Sequence, residues 1–434
     1  MHEATHDLVV RLWADDRTAE AILAAATMLD ANPDDLLAWH QLARLLAATG
    51  DRPRAADALS DLSRAYGASG DLPMAIVAAI EGADAGTDAR ALLAALARTF
   101  SADATALVDD WRSAPPAMPA KVEVHLGDAR SVVLVRRQVE TALSKAHARL
   151  DSTRPAAGRF FPLFSSLESS AFVRFASQLD VERHGQGQVV VEQGEVGRAF
   201  YVVASGEVHV VRRSGGGEET VLARLGPGAF FGEMAIVART PRAATVRTAS
   251  DVTLLRADVE KLEPVRDEMP EVAATLDAFC RARMLENVVL ASPVLRRIPI
   301  ADRSELISRF RERRFECGDV IIAQGSESRG LFLLVCGEVD VTRSDADDTL
   351  ALARLSPGDY FGEISLVLQQ PATAMVSAGT EALCLILPRD AFRQVIQQHP
   401  GLLAEVYETA LKRQEETSSI LAREAESAED LVLV

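Results

Sequence analysis

The densest concentration of chemistry-bearing residues is the stretch FFGEMAIVARTPRAATV, Phe230 to Val246. It combines Gly232, which lets backbone approach a ligand, one carboxylate at Glu233, a predicted short helical turn over Met234 to Ala238, and one guanidinium at Arg242. Amides at the start of such a turn point outward and offer an anion a site. Arg242 supplies a forked, charge-assisted pair of hydrogen bonds suited to phosphate oxygens. Glu233, an acceptor only when ionised, suits a sugar hydroxyl instead. The chemistry predicted is a sugar–phosphate clamp, in which a ligand is held and no bond is made or broken.

A second stretch, FGEISLVLQQPATAMV from Phe361 to Val376, keeps Gly362 and Glu363, followed by Ile364 and Ser365, but carries Ala372 and then Thr373 where the first has its arginine. Both belong to a long internal repeat. Gly187, Gly194 and Gly206 recur at Gly318, Gly325 and Gly337 with a constant offset of 131 residues, which falls to 130 after a one-residue deletion between Ser214 and Glu219. Each copy consists of short β-branched runs separated by glycines, introduced and followed by helical sequence. About eight short strands cannot leave open edges cheaply, so each copy is expected to close into a small roll.

Ahead of the repeat, Arg11 to Phe100 is rich in Ala and Leu and broken by Gly-Asp pairs, which predicts helices. Within it, Gly50, Asp51, Pro53 and Ala55 are answered at Gly70, Asp71, Pro73 and Ala75. Gly ends one helix, Asp caps the next, and Pro sits in its first turn. The WxxLAxxL pattern from Trp39 to Leu46 resembles a tetratricopeptide hairpin, although the repeat here is 20 residues. The expected fold class is α+β multidomain: two tandem jelly-roll-like β-rolls with flanking helices, preceded by an all-α helical-repeat region. The expected division is residues 1–112, a helical tetratricopeptide-like region; 113–158, a linker with a short strand and helix; 159–290 and 291–413, the two β-roll domains; and 414–434, an acidic tail.

With these motifs in hand, FGEMAIVARTPRAATV resembles the phosphate-binding cassette of cyclic-nucleotide-binding domains. Two tandem copies resemble the regulatory subunits of cyclic-AMP-dependent protein kinase. The resemblance implies an eight-stranded roll in which Glu233 holds the ribose 2'-hydroxyl and Arg242 the cyclic phosphate, with Gly232, Met234, Ala235, Ala243 and Ala244 as backbone or packing contacts. Gly362, Glu363, Ile364, Ser365, Ala372 and Thr373 would form a weaker second site. A missing charged partner of this kind costs about 2–5 kcal/mol in comparable complexes, unless Arg329 or Arg354 substitutes from elsewhere. Relatives that prefer cyclic GMP often carry threonine directly after the cassette arginine. Ala243 stands there, which favours cyclic AMP over cyclic GMP, and a cyclic dinucleotide is also compatible.

Composition narrows the remaining classes. A net charge of -17 over 434 residues argues against a general phosphate-backbone binder, and 48% hydrophobic residues describe a folded chain. No basic recognition helix follows the second roll, so DNA reading is not expected. Neither a membrane-spanning run nor a basic secretory start is evident, and the expected location is the cytoplasm. The four cysteines, Cys280, Cys317, Cys336 and Cys384, read as buried small hydrophobes, and the eight scattered histidines suggest no metal site. No nucleophile–base–orienter set emerges, so the chain is not expected to be an enzyme and needs no cofactor. The expected function is a cyclic-nucleotide receptor whose ligand alters contact with an unidentified protein partner, engaged through the helical repeats; the alternative is a scaffold whose rolls bind nothing. Arg136-Arg137 is followed by Gln-Val-Glu, not a pseudosubstrate serine, so a kinase-inhibitor role does not travel with the fold.

Overall fold

Side-chain caps start the N-terminal helices. Asp35, Asp71 and Asp88 accept from the amides of Ala38, Met74 and Ala91 at 3.0, 3.2 and 3.2 Å, satisfying donors that the first turn leaves orphaned. The computed structural model describes residues 2–104, 107–108, 122–152, 158–213, 219–233, 242–291, 298–345 and 348–432. Helices α1 (His6–Ala14), α2 (Thr18–Ala31), α3 (Leu36–Ala48), α4 (Arg52–Ser69), α5 (Leu72–Ala85) and α6 (Ala89–Phe100) form a layer whose small Ala residues allow close packing. Helix α7 (Val132–Ser152) lies on α2, burying Ala142 and Ala146 and pairing Lys145 with Asp30 at 2.7 Å. After α8 (Ser169–Ala176) the chain turns to strands.

The first β-rich domain comprises β1 (Leu179–His184), β2 (Val189–Val191), β3 (Ala199–Ser205), β4 (Val208–Arg213), β5 (Glu219–Leu225), β6 (Phe230–Phe231), β7 (Thr245–Thr248) and β8 (Val252–Asp258). These make two four-stranded sheets, ordered β6-β3-β8-β1 and β2-β7-β4-β5. Helices α9 (Val259–Glu268) and α10 (Pro270–Ala291) lead to α11 (Ile300–Arg309) and the second set: β9 (Arg311–Phe315), β10 (Val320–Ile322), β11 (Gly330–Cys336), β12 (Val339–Asp345), β13 (Asp348–Leu355), β14 (Tyr360–Phe361), β15 (Met375–Ala378) and β16 (Ala382–Pro388). Their sheet orders, β9-β16-β11-β14 and β10-β15-β12-β13, repeat the first topology strand for strand. Helix α12 (Glu363–Val367) interrupts the second set, and α13 (Arg389–Gln398) and α14 (Pro400–Val432) follow it.

Strand β3 is buried on both faces, as its continuous apolar run AFYVVA requires. Ala199, Tyr201 and Val203 face the interior between the two sheets, whereas Phe200, Val202 and Ala204 join the core of the N-terminal helices. Phe175 stacks on Phe200 at 6.2 Å, so the helical layer and the first domain share one core. Helix α10 reaches both domains, with Val272 and Leu276 in that core and Met284 in the core of the second. Cys280, Cys336 and Cys384 are buried as expected, but Cys317 is exposed, because it precedes the turn glycine Gly318 at the head of β10. No helix among the described residues is long and apolar enough to cross a membrane.

A polar hub joins the helical layer to the first domain. Glu81 of α5 bonds His40 of α3 and Arg183 of β1, with Arg44 at 3.8 Å. Burial would push the Glu81 carboxyl up, but the His40 hydrogen bond and the positive charges of His40, Arg183 and Arg44 outweigh it and hold it at about 2. A carboxyl depressed in the folded state stabilises it above its unfolded value of 4.5, and that contribution disappears as pH falls towards about 2. Replacing Glu81 with Gln leaves Arg183 and Arg44 without their carboxylate partner and is expected to cost ~3 kcal/mol. Urea unfolding at pH 7 measures the loss, and the gap between variant and parent should close as pH falls from 4.5 towards 2.

Candidate functional site

Two elements bring the first cassette together: the end of β6 and the segment that enters β7. Gly232 takes a left-handed φ of 82°, and a side-chain carbon there would lie 2.7 Å from Arg242 Nη1 and 3.0 Å from the Ala199 carbonyl oxygen. Glycine is therefore required twice over, by backbone conformation and by space. The main chain at Arg242 is fixed by Arg242 N–H donating to Glu195 O at 2.8 Å and by Gly194 N–H donating to Arg242 O at 2.9 Å. Its guanidinium folds inward, donating from Nη1 to Gly232 O at 2.8 Å and from Nη2 to Ala199 O at 2.6 Å, and the residue is 9% exposed. Burial lowers its pKa, opposed by Tyr201, Glu233 and Glu195, yet an arginine keeps its charge through such a shift.

Glu233 is buried beside it. Helix α10 closes on this end of the domain: Phe279 meets Phe230 edge to face at 4.7 Å, and the Cys280 thiol is pushed up to about 12 by burial and then by Glu233 and Asp277. A buried carboxylate and a buried guanidinium thus lie together at this end of the domain. Ala243 and Ala244 are half-buried just ahead of β7, while Met234 and Ala235 lie outside the described residues.

The second cassette repeats the backbone and changes the side chains. Gly362 has φ 85°, Ala372 N–H donates to Ser326 O at 2.7 Å, and Gly325 N–H donates to Ala372 O at 2.8 Å, matching the bonds around Arg242. Glu363, Ile364 and Ser365 open α12. Ser365 Oγ accepts from the buried Ser328 amide at 3.0 Å. Together with Ala372 and Thr373 these residues line a cavity of about 680 Å³, closed on one side by α14. Arg354, a sequence candidate for the missing cation, instead pairs with Asp340 at 2.7 Å on the surface. The cation that meets Glu363 is Arg413 of α14, at 2.9 Å, which also donates to Tyr360 O at 2.6 Å and sits 5.3 Å from the Tyr360 ring.

Two functional positions escaped the sequence reading. Gly197 packs directly under the Arg242 guanidinium, since a side-chain carbon there would be 2.5 Å from Cζ. Its counterpart in the second domain is Ser328, visible at the 131-residue offset but resembling ordinary loop variation. Arg413 was also missed, though continuing the 130-residue offset into the flanking helices pairs it with Arg283.

Residues 181–268 and 312–399 each match the family model described as the cyclic nucleotide-binding domain. Two tandem segments of the chain are thus similar to the cyclic nucleotide-binding domain. The chain resembles the regulatory subunit of cAMP-dependent protein kinase: 27% identity over 258 residues to that of Eremothecium gossypii, covering 59% of this chain and 52% of the relative. To that of Dictyostelium discoideum it is 29% identical over 253 residues, 57% of this chain and 74% of the relative. The chain therefore spans about half the length of the Eremothecium relative. Among solved structures, the regulatory domain of Toxoplasma gondii PKA with cAMP aligns over 58% of this chain and 92% of its own, at 24% identity and a TM-score of 0.30.

The contrast between backbone strain and crowding is testable. Gly187 has φ 83° with nothing within 4 Å of an added side-chain carbon, whereas Gly232, at nearly the same angle, meets Arg242 and Ala199. Gly187→Ala should cost about 1–2 kcal/mol from left-handed strain alone. Gly232→Ala should cost that plus a further ~1–3 kcal/mol of overpacking, read from urea unfolding midpoints.

Proposed function

We propose that the chain is a cyclic AMP receptor whose first β-rich domain binds the ligand and whose output is a changed contact with a protein partner. The observation that carries this reading is the Arg242 guanidinium seated at the left-handed Gly232, with Glu233 beside it. Glu233 takes the ribose hydroxyl and Arg242 the cyclic phosphate, while amides of the cassette add further donors. Ala243 leaves the base without the threonine that favours cyclic GMP. The second domain, with Ala372, does not take part in holding a cyclic phosphate.

Ligand binding acts through strand β3 and helix α10. Ala199, whose carbonyl holds Arg242, begins β3, and the opposite face of that strand packs into the helical layer. An acceptor arriving at the guanidinium competes with the Ala199 and Gly232 carbonyls, and any rearrangement at β3 is felt on both faces because the core is close-packed. The ligand shifts the balance of arrangements by its differential affinity for them. The N-terminal helical hairpins, tetratricopeptide-like in their Gly-Asp-Pro turns, are the proposed partner-binding region, and the proposed domain divisions are those of the sequence except that α14 runs past the expected boundary at 413.

Calorimetric titration of cyclic AMP into the full chain is the direct test. Saturation in the submillimolar range is expected. Replacing Arg242 with Ala should weaken binding by tens to thousands of fold, corresponding to about 2–5 kcal/mol. A thermal midpoint confirms that the variant is folded. Absence of binding to both proteins would contradict the assignment.

A further inference from the structure

The second cassette is rebuilt at one end only. Its carboxylate end is intact: Glu363 is 2% exposed, opens α12, and is held by Arg413 at 2.9 Å. An ionised carboxylate has about four acceptor positions, so the Arg413 bond leaves capacity for ligand hydroxyls. The other end changes at two positions that touch. Ser328 Oγ donates to Gly330 O at 2.7 Å, and Gly330 is the counterpart of Ala199, whose carbonyl takes Arg242 Nη2 at 2.6 Å in the first domain. Ser328 Oγ also lies 2.7 Å from where a side-chain carbon on Gly362 would be, the place that Arg242 Nη1 holds against Gly232 at the same 2.7 Å. A hydroxyl has thus taken the seat of the guanidinium. The two are mutually exclusive, because a side-chain carbon at Gly197 would stand 2.5 Å from Arg242 Cζ.

An eroded site would show the arginine lost and its carbonyl partner abandoned. Here a neutral donor serves the corresponding carbonyl, and a cavity of about 680 Å³ remains, lined by Ser328, Ser365 and Thr373 beside Glu363. Its mouth on α14 carries Glu415 and Glu416 next to Lys412 and Arg413, so it has no excess of positive charge to draw in an anion. A phosphate at the Ser328 end would lack the guanidinium that Arg242 supplies in the first domain, because the nearby Arg389 is engaged with the Ser328 carbonyl at 3.2 Å and with Glu327 at 3.5 Å, and burial penalises an ion held without a charged partner.

We propose that the second domain is a site for an uncharged, ribose-bearing ligand of nucleoside class, and that the pairs Gly197/Arg242 and Ser328/Ala372 decide which charge class each domain accepts. This rests on the roles given above to the cassette carboxylate and arginine. The test uses the full chain with Arg242→Ala, which silences the first site, titrated calorimetrically with adenosine and guanosine and, for comparison, with cyclic AMP and cyclic GMP. At least one nucleoside should saturate it, about tenfold or more tighter than either cyclic nucleotide, and Glu363→Ala should remove that binding. In the same background, Ser328→Gly with Ala372→Arg should reverse the preference, whereas Ala372→Arg alone should not, because Ser328 still fills the seat. Should Arg242→Ala fail to fold, the unmutated chain saturated with cyclic AMP should still take up one equivalent of nucleoside. Cyclic nucleotide binding to Arg242→Ala as tight as that of the nucleosides, or no uptake of either nucleoside, overturns the proposal. Failure of cyclic AMP to bind the unmutated chain speaks only against the first-domain reading, since the nucleoside titrations decide the second independently.

Discussion

A buried main-chain carbonyl at the head of the central strand must be given a hydrogen-bond donor, and the surroundings of each cassette follow from which donor is used. In the first domain Ala199 O takes a guanidinium, which needs glycine at 197 and a left-handed glycine at 232 to leave it room. In the second, Gly330 O takes the Ser328 hydroxyl, and the same backbone then closes around Ala372. A hydrogen bond to a charged donor contributes about 1.5–3 kcal/mol against roughly 1 for a neutral one, but leaving a buried acceptor unserved costs more than the difference. Arginine therefore cannot simply be deleted from such a cradle without another donor taking its place.

Strand β3 connects that cradle to the rest of the molecule. Because alternate residues face opposite sides, Ala199 and Tyr201 belong to the interior of the β-rich domain while Phe200 and Val202 belong to the helical layer. The corresponding outer face of β11 is covered differently, by Met284, Leu306, Phe392 and Leu402 of the helices around the second domain. One repeated sheet topology thus presents the N-terminal helices to the first site and the helices between and after the two domains to the second. The Glu81 hub fastens the first of these contacts with charge, at the edge of a core that is otherwise apolar.

Much of this is legible in the amino-acid sequence alone. The repeat and the cassette are carried by glycines whose positive φ disfavours larger residues, with crowding added at Gly206, Gly232, Gly337 and Gly362, so their spacing is a readable signature. Asp71 and Pro73 announce the start of α5 because capping is a local interaction between neighbours in sequence. What escaped was non-local. Ser328 lies 44 residues before Ala372, and nothing short of a folded backbone shows that the two compensate. Arg413 sits within α14, a helix that continues to Val432 across the boundary expected at 413, so its meeting with Glu363 depends on how that helix lies over the cavity. Cys317 was misplaced because composition reports that cysteine is usually buried, whereas a turn glycine beside it decides the matter locally.

The central claim is that one backbone cradle occurs twice and accepts a cyclic phosphate only where arginine occupies it. Equilibrium dialysis of the unmutated chain against saturating cyclic AMP measures this most directly, as moles of ligand bound per mole of chain. The predicted stoichiometry is one. A value of two would show that Ala372 and Ser328 do not exclude the phosphate, and a value of zero would show that Arg242 does not recruit it.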